Sequence, residues 1–268
     1  MTSTRQRAFA GLLAIGLAAT AACATRPADG AAPTDLVVFA AASLKAPLER
    51  AAVAYEGAHA GTAISLSFDS SASLRTQIEQ GAPADLFLSA DLANAERVAH
   101  AGLGRDAVTS FAGNALAVAV PVENPAGIET VFDLARDGVA IVAAGPDVPI
   151  TTYAAELVDR IGALLDAPPD FEARYDRNVV SREDNARAVV AKLELGEGDA
   201  AIVYRTDAIA TSKLRTIALP AGTDVAVAYG GIVIARSAHG AEAEAFLAWL
   251  AGPEGQAILA GFGFVPVP

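Results

Sequence analysis

Two hydroxyl clusters carry the chemistry that can be read from this chain. Ser43 ends the run Val37-Val38-Phe39-Ala40-Ala41-Ala42. An apolar run of that length without polar partners reads as a buried parallel strand, and the pattern after it, through Leu48 and Ala52, is helical. A serine at a strand-to-helix junction reads as an N-cap, which gathers free backbone N–H groups beside its hydroxyl and favours an anion. The device returns at Leu66-Ser67-Phe68-Asp69-Ser70-Ser71-Ala72-Ser73-Leu74, a second strand that breaks into hydroxyls and then a helix. Two donor clusters of this kind suit a small oxyanion better than a metal or a nucleotide.

Strands and helices alternate around these clusters. Apolar strands are expected at Leu36–Ala40, Ala63–Phe68, Leu86–Ser89, Leu116–Val120, Val139–Ala143, Ala200–Tyr204 and Ile232–Ala235. Helical patterns cover Leu44–Gly57, Ser73–Gln80, Asp91–Ala101, Ile150–Leu165, Arg182–Leu195, Ala241–Ala251 and Glu254–Gly261. Such alternation predicts parallel sheets covered by helices, with ligands bound outside the carboxyl ends of the strands. Extended segments at Asn114–Val120 and Val225–Ile234 predict two chain crossings. Residues 35–115 and 231–268 would then form one lobe and 116–230 a second.

Charge and leader bound the function further. The 268 residues carry a formal net charge of −12, which argues against nucleic acid or anionic membrane as a partner. Arg5 and Arg7 precede the apolar stretch Ala8–Ala22, too short to span a bilayer and suited to a secretory signal. That stretch ends in Ala21-Ala22-Cys23, the sole cysteine. The junction resembles a bacterial lipobox, which implies lipidation at Cys23, although Thr20 stands where leucine is usual. An ordinary signal cleaved after Ala19-Thr20-Ala21 is the other reading, giving a periplasmic or secreted protein. Residues 1–23 are thus read as a signal peptide and 24–34 as a Pro/Gly/Ala tether.

Catalytic patterns are missing from the sequence. His59, His100 and His239 share no metal-ligand spacing, and there is no nucleophile elbow and no phosphate loop. No enzyme activity and no cofactor are expected. Arg187 and Lys192 read as solvated or paired on a helix face, and Asp85 and Asp91 as structural carboxylates holding loop amides.

Several segments carry a family resemblance. They are Val38-Phe39-Ala40-Ala41-Ala42-Ser43-Leu44, Phe68-Asp69-Ser70-Ser71, Gly81-Ala82-Pro83-Ala84-Asp85-Leu86-Phe87, Glu183-Asp184-Asn185-Ala186-Arg187, Gly198–Asp207 and Gly261-Phe262-Gly263-Phe264. In these the chain resembles the substrate-binding proteins of bacterial molybdate ABC transporters. The resemblance implies a two-lobed type II periplasmic-binding-protein fold, capture of molybdate or tungstate, delivery to a membrane permease, and action as a monomer. It also implies a site of hydroxyls and backbone amides without cationic side chains. The hydroxyl donors would be Ser43, Ser71 and Tyr204, and backbone amides would come from Ile150 and Asn185. Ile150-Thr151 replaces the family's common Ala-Gly, and Ser70 and Ser73 would support the donors from behind. A site for sulfate or another tetrahedral oxyanion, and an extracytoplasmic enzyme or anion sensor on the same fold, are the alternatives.

Overall fold

The computed structural model describes residues 34–267. The signal, the tether and Cys23 lie outside the described residues, except that Thr34 opens the first strand.

The first sheet is built on β1 (Thr34–Ala41), whose second half is buried on both faces, as its unbroken apolar run requires. It pairs in parallel with β2 (Thr62–Asp69) on one side and β3 (Leu86–Ser89) on the other. Two more strands, β4 (Thr109–Asn114) and β10 (Val227–Val233), complete the order β2-β1-β3-β10-β4, with β10 antiparallel to both neighbours. β2 forms an edge, and its burial is correspondingly partial. The helices α1 (Lys45–Ala58), α2 (Ser71–Glu79) and α3 (Leu92–His100) follow β1, β2 and β3 in turn. The C-terminal α8 (Gly240–Ala251) and α9 (Pro253–Gly261) pack against the same unit.

Between β4 and β10 the chain builds a second sheet system. Fully buried β5 (Leu116–Pro121) pairs antiparallel with β8 (Ala201–Tyr204) and β9 (Leu214–Ile217). β6 (Ile141–Ala144) and β7 (Val179–Glu183) form a parallel pair tied to this sheet through the Ile141–Ala200 bridge. Helices α4 (Pro149–Gly162), α5 (Phe171–Asn178), α6 (Ala186–Glu194) and α7 (Arg205–Ile209) belong to this second lobe. A single residue, Ala115, separates β4 from β5, so the first crossing is abrupt. The second runs from β9 into β10. The two lobes and two crossings are those the alternation pattern predicts.

Three local expectations need correction. The helix expected from Arg182 starts at Ala186, because Arg182 and Glu183 belong to β7 and Asn185 caps the helix by accepting the Ala188 N–H at 3.0 Å. The last apolar strand, expected at Ile232–Ala235, is centred earlier, since β10 continues to pair with β4 back to Val227. Ser43 is no N-cap. The chain enters α1 through a 3-10 turn at Ala42–Leu44, and the Ser43 side chain turns away from the helix amides.

Candidate functional site

The carboxyl ends of β1, β2 and β3 meet the amino ends of α4 and α6 around a tight cavity of about 10 Å³. Ala41, Ala42, Ser43, Ser70, Ser71 and Ala90 line it from the first lobe, and Val148, Pro149, Asn185, Ala186 and Tyr204 from the second. None of these side chains is charged.

Ser70, Ser71 and Asn185 are each held in the wall by a hydrogen bond within the protein. Ser70 is the N-cap of α2: its oxygen accepts the Ser73 N–H at 3.1 Å, and its hydroxyl lies 3.0 Å from the Ser73 hydroxyl. Ser71, the first helical residue, is 1% exposed, and its oxygen accepts the Ala90 N–H at 3.0 Å. That bond fills an acceptor site and leaves the Ser71 proton available to a ligand. Asn185 spends its side-chain oxygen on its own helix. The amides of the first turn of α6 have no intrahelical acceptor, by the nature of a helix start. At α4, Pro149 lacks an N–H, so the Ile150 amide is the first donor of that helix.

Tyr204 ends β8 with 1% exposure, and its hydroxyl has no hydrogen-bond partner among the described residues. Burial above all, with nearby Tyr229 next, pushes its ionisation well above the ordinary tyrosine range. The phenol is therefore a permanent donor that awaits an acceptor. Buried hydroxyls are almost always paired, so this one points to a ligand.

The residues proposed from the sequence are thus distributed unevenly. Ser43, Ser70, Ser71, Asn185 and Tyr204 share the cavity. Ser73 stands behind Ser70, and Ile150 lines a separate cavity of about 150 Å³ between α4 and α5. The pattern left three supporting residues unseen. The Tyr229 hydroxyl is 3.0 Å from Ser43 Oγ, and Asn114 Nδ2 reaches both Tyr229 and Thr206. These contacts join residues far apart in sequence, for which local periodicity carries no signal. Asp85 accepts the Val37 N–H at 2.8 Å and Asp91 caps α3. Lys192 pairs with Glu183 at 3.0 Å.

Arg187 pairs with Asp207 at 3.5 Å, the arginine half-exposed and the aspartate buried. Burial raises the Asp207 carboxyl to about 6 against the pull of Arg187. In an unfolded chain an aspartate titrates near pH 3.9. Between these values the native state holds a proton that the unfolded state has lost. The stabilisation by the neutral form is therefore complete below about pH 4 and is lost as pH rises through about 6. Its size is about 2–3 kcal/mol. Urea unfolding of Asp207→Asn should lack this component, so its stability relative to wild type should rise by that amount from pH 4 to 7. Parallel pH profiles for the two proteins would refute the assignment.

Among the described residues, no group of three or more His, Cys, Asp or Glu side chains is arranged to hold a metal ion. No helix among them is long and apolar enough to cross a membrane.

The profile of the family described as bacterial extracellular solute-binding protein matches residues 36–265. The molybdate-binding protein ModA of Mycobacterium tuberculosis is 33% identical over 256 residues, covering 95% of this chain and 93% of its own. The solved periplasmic molybdate-binding protein of Azotobacter vinelandii superposes with a TM-score of 0.70 at 23% identity, covering 87% of this chain and 99% of its own. The sulfate-binding protein SubI of Mycobacterium tuberculosis superposes with a TM-score of 0.78 at 23% identity, with 87% of each chain covered. These likenesses identify the type II periplasmic-binding-protein fold.

Proposed function

The chain belongs to the bacterial extracellular solute-binding proteins, and from that premise we propose that it captures molybdate between its lobes and delivers it to the membrane permease of an ABC transporter. The observation that carries this reading is the unpartnered Tyr204 hydroxyl in a small cavity lined by no charged side chain. A tetrahedral dianion presents acceptors only, so its complement is a set of donors with no competing acceptor. Ser43, Ser71, Tyr204 and the amides of Ile150 and Asn185 form that set. Hydrogen bonds to an ionised group contribute about 1.5–3 kcal/mol each, enough for tight binding from several neutral donors. The amino ends of α2, α4 and α6 add favourable dipoles. Ser70 and Ser73 fix the start of α2 and so the place of Ser71.

The same donors suit tungstate, and the relative named for molybdate binding supports this ligand class over sulfate. The boundaries proposed for the lobes are 35–115 with 231–268 and 116–230, closing on the ligand as hinged units. The leader supports an extracytoplasmic protein anchored to the membrane through lipid at Cys23. Thermal unfolding with a panel of molybdate, tungstate, sulfate and phosphate tests the reading. Molybdate at a hundred times its Kd should add about 2.7 kcal/mol of stability. A response to sulfate alone would move the protein to the sulfate class, and no response to any of the four would refute the function.

A further inference from the structure

The hydrogen bonds behind Ser43 have only one direction that satisfies them. Asn114 Oδ1 accepts the Ala115 N–H at 2.9 Å, which fixes the amide so that Nδ2 faces the cluster. Nδ2 can only donate, and it does so to Thr206 Oγ1 at 2.9 Å and to the Tyr229 hydroxyl oxygen at 3.3 Å. Tyr229 is 0% exposed, and its phenol has a single proton to place. Ser43 Oγ, at 3.0 Å, is the only acceptor within its reach among the described residues. Reversing the bond would leave a phenol proton buried without a partner, at a cost that proteins rarely carry. The chain of donation therefore runs from Asn114 to Tyr229 to Ser43. It ends with the Ser43 oxygen occupied and the Ser43 proton turned to the cavity.

We propose that Tyr229 and Asn114 are positioning residues that hold Ser43 as a donor, so that the cavity accepts fully deprotonated oxyanions and disfavours those that carry a proton. This rests on the oxyanion reading of the site and adds how the site is kept free of acceptors. Ser71 is set the same way by the Ala90 N–H, so both hydroxyls of the first lobe have their acceptor side filled by protein donors. The relay also sits on the frame of the molecule. Asn114 closes β4 at the first crossing, Tyr229 lies on the strand that follows the second, and Thr206 belongs to the second lobe. The direction of the Ser43 proton is thus imposed before any ligand arrives. The ring of Tyr229 is held apart from its hydroxyl by Phe264, Phe111 and Tyr204, with ring centroids 5.4, 6.2 and 5.8 Å away. Tyr229→Phe can therefore remove the hydroxyl while keeping the packing.

The experiment is a double-mutant cycle of Tyr229→Phe and Ser43→Ala, read by calorimetric titration with molybdate and with phosphate in neutral buffer. Phosphate there carries a proton, and molybdate does not. Tyr229→Phe should weaken molybdate binding about 10-fold in the wild-type background and less than about twofold in the Ser43→Ala background. It should also narrow the preference for molybdate over phosphate, because Ser43 regains a free acceptor. A purely structural role for Tyr229 would give equal losses in both backgrounds and an unchanged preference, and that result overturns the relay. If wild type binds no tetrahedral oxyanion, the proposed function falls and the relay with it. Wild-type binding with an additive cycle removes the relay alone. Should Tyr229→Phe lose its cooperative melt, Asn114→Asp replaces it. That change keeps the acceptor for the Ala115 N–H, withdraws the donor, and should give the same dependence on Ser43.

Discussion

Tyr204→Phe should bind molybdate about 10- to 150-fold more weakly than wild type while being no less stable without ligand. The two effects have one origin. The hydroxyl is buried and lacks a protein partner, so in the unliganded protein it carries a desolvation penalty of about 1–3 kcal/mol less whatever solvent in the cavity returns. Phenylalanine removes that penalty and keeps the ring that packs on Tyr229 at 5.8 Å. The melting temperature without ligand should therefore stay level or rise. With an oxyanion in the cavity the same hydroxyl donates to a charged acceptor, a bond of about 1.5–3 kcal/mol that phenylalanine cannot make. Calorimetric unfolding and titration of the one variant test both halves. A fall in unliganded stability with unchanged affinity would make Tyr204 a core residue and no more. The trade of stability for binding is expected where function needs an unsatisfied group.

How much of this was legible beforehand depends on how local the signal was. β1, β3, β5 and β8 are short apolar runs bounded by polar or turn residues, and their extents follow from sequence to within a residue or two. β4 reads Thr-Ser-Phe-Ala-Gly-Asn and contains two large or branched residues, so only its pairing with β10 makes it a strand. β7 and β9 are likewise short, partly polar and held by partners. α5 presents Phe171, Tyr175 and Asn178 inward among charged residues, a stripe too thin for periodicity to register, and α7 has five residues. At the site, Ser43, Ser71 and Tyr204 stand at strand ends, where the alternation of elements puts binding groups. What the sequence hides is their environment. Ser43 reads locally as a cap, and its actual partner is 186 residues away on a strand formed after the second crossing. The charge pair is similar. Arg187 reads as solvated or paired on a helix face, and only the fold supplies the partner, a buried Asp207.

Ser71→Ala should be the most damaging single change in the cavity, because that hydroxyl serves two partners. Its oxygen holds the Ala90 N–H at 3.0 Å in a buried setting, so alanine leaves an amide unsatisfied and should lower stability by about 1–3 kcal/mol. Its proton is free for the ligand, so affinity should fall by a further 1.5–3 kcal/mol, about 10- to 150-fold. Arg187→Ala provides the opposite case. The guanidinium is half-exposed and its partner is Asp207, whose carboxyl already titrates at about 6 with the arginine present. Without that cation the carboxyl titrates higher still, so proton uptake at Asp207 offsets part of the lost positive charge. The field at the cavity then changes little, and affinity should stay within about threefold of wild type. Titration of the two variants with molybdate at neutral pH separates a cage of neutral donors from a site held by charge. A larger loss from the arginine than from the serine would mean that Arg187 supplies the attraction and that the neutral hydroxyls and amides do not suffice.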